Sequence, residues 1–101
     1  KVCETTHLDT LADGCAGGID EDTLTLPLAK AVIDSVIDCT EEQIIEAIKI
    51  LAWDENLLVE GSAALALAGF LQDKNSEKRQ VSLVLLCGGN FDKDLLLPIL
   101  N

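Results

Sequence analysis

Between Thr40 and Trp53 the apolar residues Ile44, Ala47, Ile48, Leu51 and Ala52 recur at the spacing that winds them onto one stripe of an α-helix. Thr40-Glu41-Glu42-Gln43 opens that stripe as a capping box. The Thr40 hydroxyl can accept the Gln43 amide, the Gln43 side chain can reach back, and two acidic residues sit at the positive end of the helix dipole. Asp54-Glu55-Asn56 ends it, so the pattern predicts a helix near 40–54. A second helix near 62–72 carries Ala63 to Ala68, apolar on every side, and such a helix needs covering neighbours. Its alanines and Gly69 admit close backbones. Residues near 24–32 form a short helix with Pro27 in the first turn, where a missing N–H costs little, and a last helix runs near 92–100.

Val81-Ser82-Leu83-Val84-Leu85-Leu86 lacks alternation, as expected of a strand covered on both faces of a parallel sheet, and the β-branched Val36-Ile37-Asp38-Cys39 reads as a shorter strand. Residues 1–22, with Gly17-Gly18 and no sustained period, read as loop. So do residues 73–80, where Lys74, Glu77, Lys78 and Arg79 make a solvated charge cluster. The predicted class is α/β, with layered helices on a mostly parallel sheet.

Composition narrows the partners. The 101 residues are 49% hydrophobic, enough for a core, and 18 Asp and Glu against 7 Lys and Arg give a net charge of -11. That charge repels nucleic acid and anionic lipid, so no nucleic-acid or membrane partner is expected. Cys3, Cys15, Cys39 and Cys87 have no metal-type spacing and read as reduced thiols in a core too rich to need disulfides, which favours a cytoplasmic protein. No apolar run matches a membrane span, and Lys1-Val2-Cys3-Glu4 has no signal-peptide layout. The irregular start without Met suggests a chain that begins inside a longer protein.

Three short segments could carry chemistry. Cys87-Gly88-Gly89-Asn90 follows the buried strand at the carboxyl end, where open α/β sheets collect ligands; it could cradle a phosphate or be a tight turn only. Leu11-Ala12-Asp13-Gly14 places a carboxylate and a glycine in a loop. Val59-Glu60-Gly61-Ser62 places a carboxylate at the mouth of the all-apolar helix, where it could also simply favour the helix dipole. The single His7 reads as a surface residue and Trp53 as packing at a helix end.

Read together with Thr10, Thr25-Leu26-Pro27-Leu28, Thr40-Glu41-Glu42-Gln43-Ile44, Leu58 and Leu86, these segments resemble in order and spacing the later part of fold-type II pyridoxal-phosphate enzymes. The threonine dehydratase, serine dehydratase and serine racemase group is the nearest likeness. It implies a tryptophan synthase β-like large domain, of which residues 1–101 would be the C-terminal segment of the catalytic region. It also implies that Cys87, where the family usually has Ser, hydrogen-bonds the pyridine nitrogen of the cofactor. Glu60 would lie near that edge of the ring, the Asp13-Gly14 loop would pass the other side, and Asn90 would complete the cofactor-binding turn. A thiol at that nitrogen is a weak partner that leaves the ring a moderated electron sink, which suits β-elimination of a hydroxy amino acid to a 2-oxo acid and ammonia.

Departures from the family pattern are Ala63, where relatives often have glycine, and Cys87 itself. The family's Schiff-base lysine and glycine-rich phosphate loop belong to a preceding N-terminal segment, and none of Lys1, Lys30, Lys49, Lys74, Lys78 or Lys93 has a matching context. No catalytic residue and no metal site is therefore assigned within the chain. The expectations are an ammonia-lyase with an amino-acid substrate, inactive as this chain alone and homo-oligomeric. The alternatives are a racemase of the same family and a non-catalytic acidic α/β interaction domain. A regulatory domain after Asn101 is compatible with the likeness.

Overall fold

The stripe of α2 organises the molecule. The structure, a computed structural model, describes residues 2–75, 78 and 81–101. Its helices are α1 (Thr25–Val32), α2 (Glu41–Trp53), α3 (Gly61–Gln72) and α4 (Lys93–Leu100), and a 3-10 turn at Asp13–Cys15 interrupts the N-terminal loop. The buried residues of α2 are Ile44, Ala47, Ile48, Leu51 and Ala52, the stripe the sequence pattern predicts. The capping box forms in full, with Gln43 N donating to Thr40 Oγ1 at 3.3 Å and Thr40 N donating to Gln43 Oε1 at 2.8 Å. At the other end Asn56 takes φ 57, and the reversal lets the Leu57 amide return to the Leu51 carbonyl at 2.8 Å. A short amide side chain tolerates this left-handed conformation better than most.

α2 lies along α3 through small residues. Ala47 on one helix and Ala63, Ala64 and Ala68 on the other are all but fully buried, so the two backbones come close without interlocking large side chains. Leu96 of α4 and Ala12 of the N-terminal loop close two further sides of the same cluster. α4 begins at Asp92, whose carboxylate accepts the Asp94 amide at 2.7 Å, and carries Pro98 within its last turn.

α3 is covered over most of its length: Gly61, Ala63, Ala64 and Ala68 are buried and Leu65 and Leu67 are half-buried against the core, while Leu71 near its end is exposed. One expectation is corrected. Trp53 is exposed and does not pack at its helix end. Among the described residues no strand is present, so the parallel sheet expected from residues 36–39 and 81–86 is not formed. The physical reason is a missing ladder. A strand exists only through hydrogen bonds to neighbouring strands, and among the described residues no ladder pairs either segment. Val81, Leu83 and Leu85 are correspondingly 87%, 91% and 72% exposed.

In the charged connection Lys74 and Lys78 are exposed as expected, whereas Glu77 and Arg79 lie outside the described residues. No helix among the described residues is long and apolar enough to cross a membrane.

Candidate functional site

The three segments singled out by sequence come together at the start of α3. Glu60 is the N-cap of that helix, with extended backbone (φ -75, ψ 164), and its carbonyl accepts the amides of Ala63 and Ala64 at 3.1 and 3.0 Å. Its side chain makes no capping bond. It turns away, and Oε2 accepts the backbone amide of Asn90 at 2.8 Å. The carboxylate therefore retains a favourable place by the helix dipole while its hydrogen bond serves the glycine turn.

Two glycines let these segments pack closely, Gly88 against the carboxylate and Gly14 against Ser62. Gly88 has φ +137, a conformation that side-chain-bearing residues rarely adopt, and a Cβ there would stand 2.2 Å from Glu60 Oε1. On the opposite side a Cβ on Gly14 would stand 2.8 Å from Ser62 Oγ and 3.5 Å from Glu60 Oε1. The Asp13-Gly14 loop, the start of α3 and the Gly88–Asn90 turn thus form one continuous wall. Asp13, Glu60 and Asn90 line a cleft of about 160 Å³ in that wall, which α4 closes through Leu95 and Leu96. Cys87, at the edge of the turn, is exposed. Nothing stands within 4 Å of a Cβ placed on Gly89, so the outer side of the turn is open.

The loop is held by groups that sequence reasoning did not assign. Glu41, the first residue of α2, accepts the Leu11 amide on Oε2 at 2.9 Å and the Thr10 hydroxyl on Oε1. Thr10 Oγ1 in turn accepts the Ala12 amide at 3.1 Å. Beneath the same stretch Gly61 lies so close that a Cβ would stand 2.0 Å from the Leu11 carbonyl oxygen. The sequence signal for Glu41 was its place in the first turn of α2, which the dipole alone explained. Ser62 Oγ is buried without a hydrogen-bond partner among the described residues.

Elsewhere, Glu42 is held below the usual carboxylate range by its own backbone amide and by the Thr40 hydroxyl. Burial, and then the charge of Asp38, pushes the Cys39 thiol up. Cys15, Cys39 and Cys87 are thiols. His7 is exposed and borders a wide recess of about 850 Å³ framed by the N-terminal loop and α1. Among the described residues no cluster of three or more His, Cys, Asp or Glu could hold a metal ion.

Glycines, one tethered carboxylate and one exposed thiol thus meet on one open wall. Comparison with known proteins defines its class: residues 1–88 match the pyridoxal-phosphate dependent enzyme family, and the chain belongs to it. Within that family it is similar to serine racemase of Dictyostelium discoideum, 34% identical over 92% of this chain and 29% of the relative. It is equally similar to the L-threonine ammonia-lyases of Thermotoga maritima and Geobacter sulfurreducens, 34% identical over 91% of this chain and 22% and 23% of those proteins. The chain spans less than a third of the length of the curated relatives it matches.

Proposed function

We propose that this chain is the C-terminal segment of the catalytic domain of a cytoplasmic pyridoxal-phosphate dependent ammonia-lyase acting on threonine or serine. The observation that carries the reading is the convergence of Gly14, Gly88 and Asn90, far apart in sequence, on the Glu60 carboxylate. The wall fits the cofactor. A side chain at Gly88 would collide with Glu60, the outer face of Gly89 is open, and the Cys87 thiol is free of surrounding bulk. In this reading Cys87 meets the pyridine nitrogen, Glu60 and Asn90 fix the turn at that edge, and Asp13-Gly14 borders the other side.

When bound, pyridoxal phosphate supplies the electron sink for charge that develops at the substrate's α-carbon. The residues of this chain bind and orient. The Cys87 thiol is a weak hydrogen-bonding group, so at the ring nitrogen it would hold the ring without imposing a full positive charge on it. Glu60 keeps the Asn90 amide turned inward, and the glycine backbone approaches the ligand where side chains could not. Covalent attachment and proton removal fall to the segment that carries the family's lysine.

The apolar segments 36–39 and 81–86 become strands of a mostly parallel sheet once that segment supplies their neighbours. The surface supports this. Its accessible area of 8157 Å² exceeds the roughly 5,500 Å² of a compact folded monomer of this mass. Homo-oligomerisation of the complete enzyme would bury more of it.

The test is turnover by the full-length protein containing this chain. Threonine or serine should yield a 2-oxo acid and ammonia, while the 101-residue chain alone should show no turnover and no borohydride-reducible adduct with pyridoxal phosphate. An adduct on one of its own lysines would overturn the division of labour. Racemisation of serine without net ammonia release would place the protein with the racemase reading, which the similarity to serine racemase keeps in view.

A further inference from the structure

Glu41 stands outside the wall just described and has no part in the expected contacts with cofactor. Its carboxylate nevertheless makes two polar contacts that tie the N-terminal loop to the helical core. Oε2 accepts the Leu11 amide at 2.9 Å, Oε1 accepts the Thr10 hydroxyl, and Thr10 Oγ1 passes the tether on to the Ala12 amide at 3.1 Å. The residues so held lead directly into the 3-10 turn at Asp13–Cys15, in which Cys15 N donates to Ala12 O at 2.9 Å and Ala16 N to Asp13 O at 3.0 Å. Gly61 lies flush beneath the Leu11 carbonyl and Ala12 is buried in the core, so the loop is gripped from α2 and seated on α3 at once. Glu41 is itself fixed, because the capping box sets the first turn of α2 rigidly.

We infer that Glu41 is a positioning residue, a clamp through which the start of α2 fixes the Asp13-Gly14 loop against Gly61-Ser62. The inference rests on the functional reading above for what the loop borders, and on hydrogen-bond geometry for the clamp. A charged acceptor taking two donors is the strong form of such a contact, and a loop has no ladder to replace it. Loosening it would move Gly14 off Ser62 Oγ and widen the cofactor side of the wall while leaving Cys87, Glu60 and Asn90 in place. The clamp thus sets how tightly the cofactor and substrate are enclosed rather than how the chemistry proceeds.

Amide hydrogen exchange on the full-length protein, read before any cofactor is added, tests the clamp. Glu41→Ala should raise exchange at Leu11 and Ala12 by about tenfold or more, as loss of a bond to a charged acceptor implies, with Ile48 and Leu51 unchanged as the control on folding. Thr10→Val, which leaves the capping box untouched, should expose Ala12 while Leu11 keeps most of its protection. Unchanged exchange at Leu11 in Glu41→Ala, or exchange raised equally along the whole of α2, overturns the clamp.

In the full-length holoenzyme Glu41→Ala should weaken cofactor retention and raise KM about tenfold, with kcat little changed and Glu41→Gln intermediate. A fall in kcat at constant KM overturns the positioning role. Full-length unsubstituted protein that binds no pyridoxal phosphate overturns the functional reading and the loop's role beside cofactor, while the exchange result still decides the clamp.

Discussion

Three glycines differ in what surrounds them. Gly61 lies against the Leu11 carbonyl and Gly88 combines φ +137 with the Glu60 carboxylate, whereas Gly89 faces open space. Gly61→Ala and Gly88→Ala should each cost about 1–3 kcal/mol, the first by lifting the loop and the second by backbone strain that removing Glu60 would not relieve. Gly89→Ala should stay within about 0.5 kcal/mol of the unsubstituted chain. Denaturant midpoints measured on the three variants check the order, and equal losses at all three would contradict the geometry. Cys39 gives a second residue-scale prediction. Burial keeps its thiol protonated to higher pH, so it should alkylate more slowly than the exposed Cys15 and Cys87 at mildly alkaline pH. Its folded pKa is raised, so stability linked to it is present below the ordinary thiol range and lost as pH rises through the raised value.

At the scale of elements the first turn of α2 does most of the organising. Thr40→Ala removes the hydroxyl acceptor of the capping box and should lower stability by about 1 kcal/mol, read from the urea midpoint. Glu42 belongs to the same turn. Its folded pKa is lowered, so the stability it contributes is present above the ordinary carboxylate range and lost as pH falls through the lowered value. Acid titration of α2 helicity by circular dichroism should show that loss, and Glu42→Gln should flatten it. These features were legible in the sequence because a helix carries its own period and its own caps within a few residues. The three candidate segments were legible as types, but Glu60 finds Asn90 thirty residues away and Glu41 finds Thr10 thirty-one away, and no local pattern encodes such pairs. The expected strand segments lack a ladder for a related reason. Apolar character at Val81 to Leu86 marks a segment that seeks cover, while the ladder that makes it a strand depends on neighbours that the described residues do not supply.

At the scale of the whole molecule two forces oppose each other. The radius of gyration, 14.9 Å, exceeds the roughly 13 Å of a compact 100-residue domain, and the body is a slab of 42 × 37 × 19 Å with Leu24, Val36, Val81 and Leu83 at its surface. Apolar surface of this extent drives association, while a net charge of -11 drives copies apart. Salt separates the two, because it screens the repulsion beyond a Debye length of about 10 Å at 0.1 M and leaves the hydrophobic term intact. The isolated chain should therefore self-associate more strongly as salt is raised, seen as a shift toward larger species in size-exclusion chromatography together with binding of a hydrophobic dye. Leu83→Asn with Leu85→Asn should reduce both signals without lowering helicity, since neither side chain belongs to the packed cluster of α2, α3 and α4. A sharp monomer at high concentration and high salt, with no dye bound, would mean that residues 81–86 find cover within the chain itself, and the proposal that they join a parallel sheet would fail.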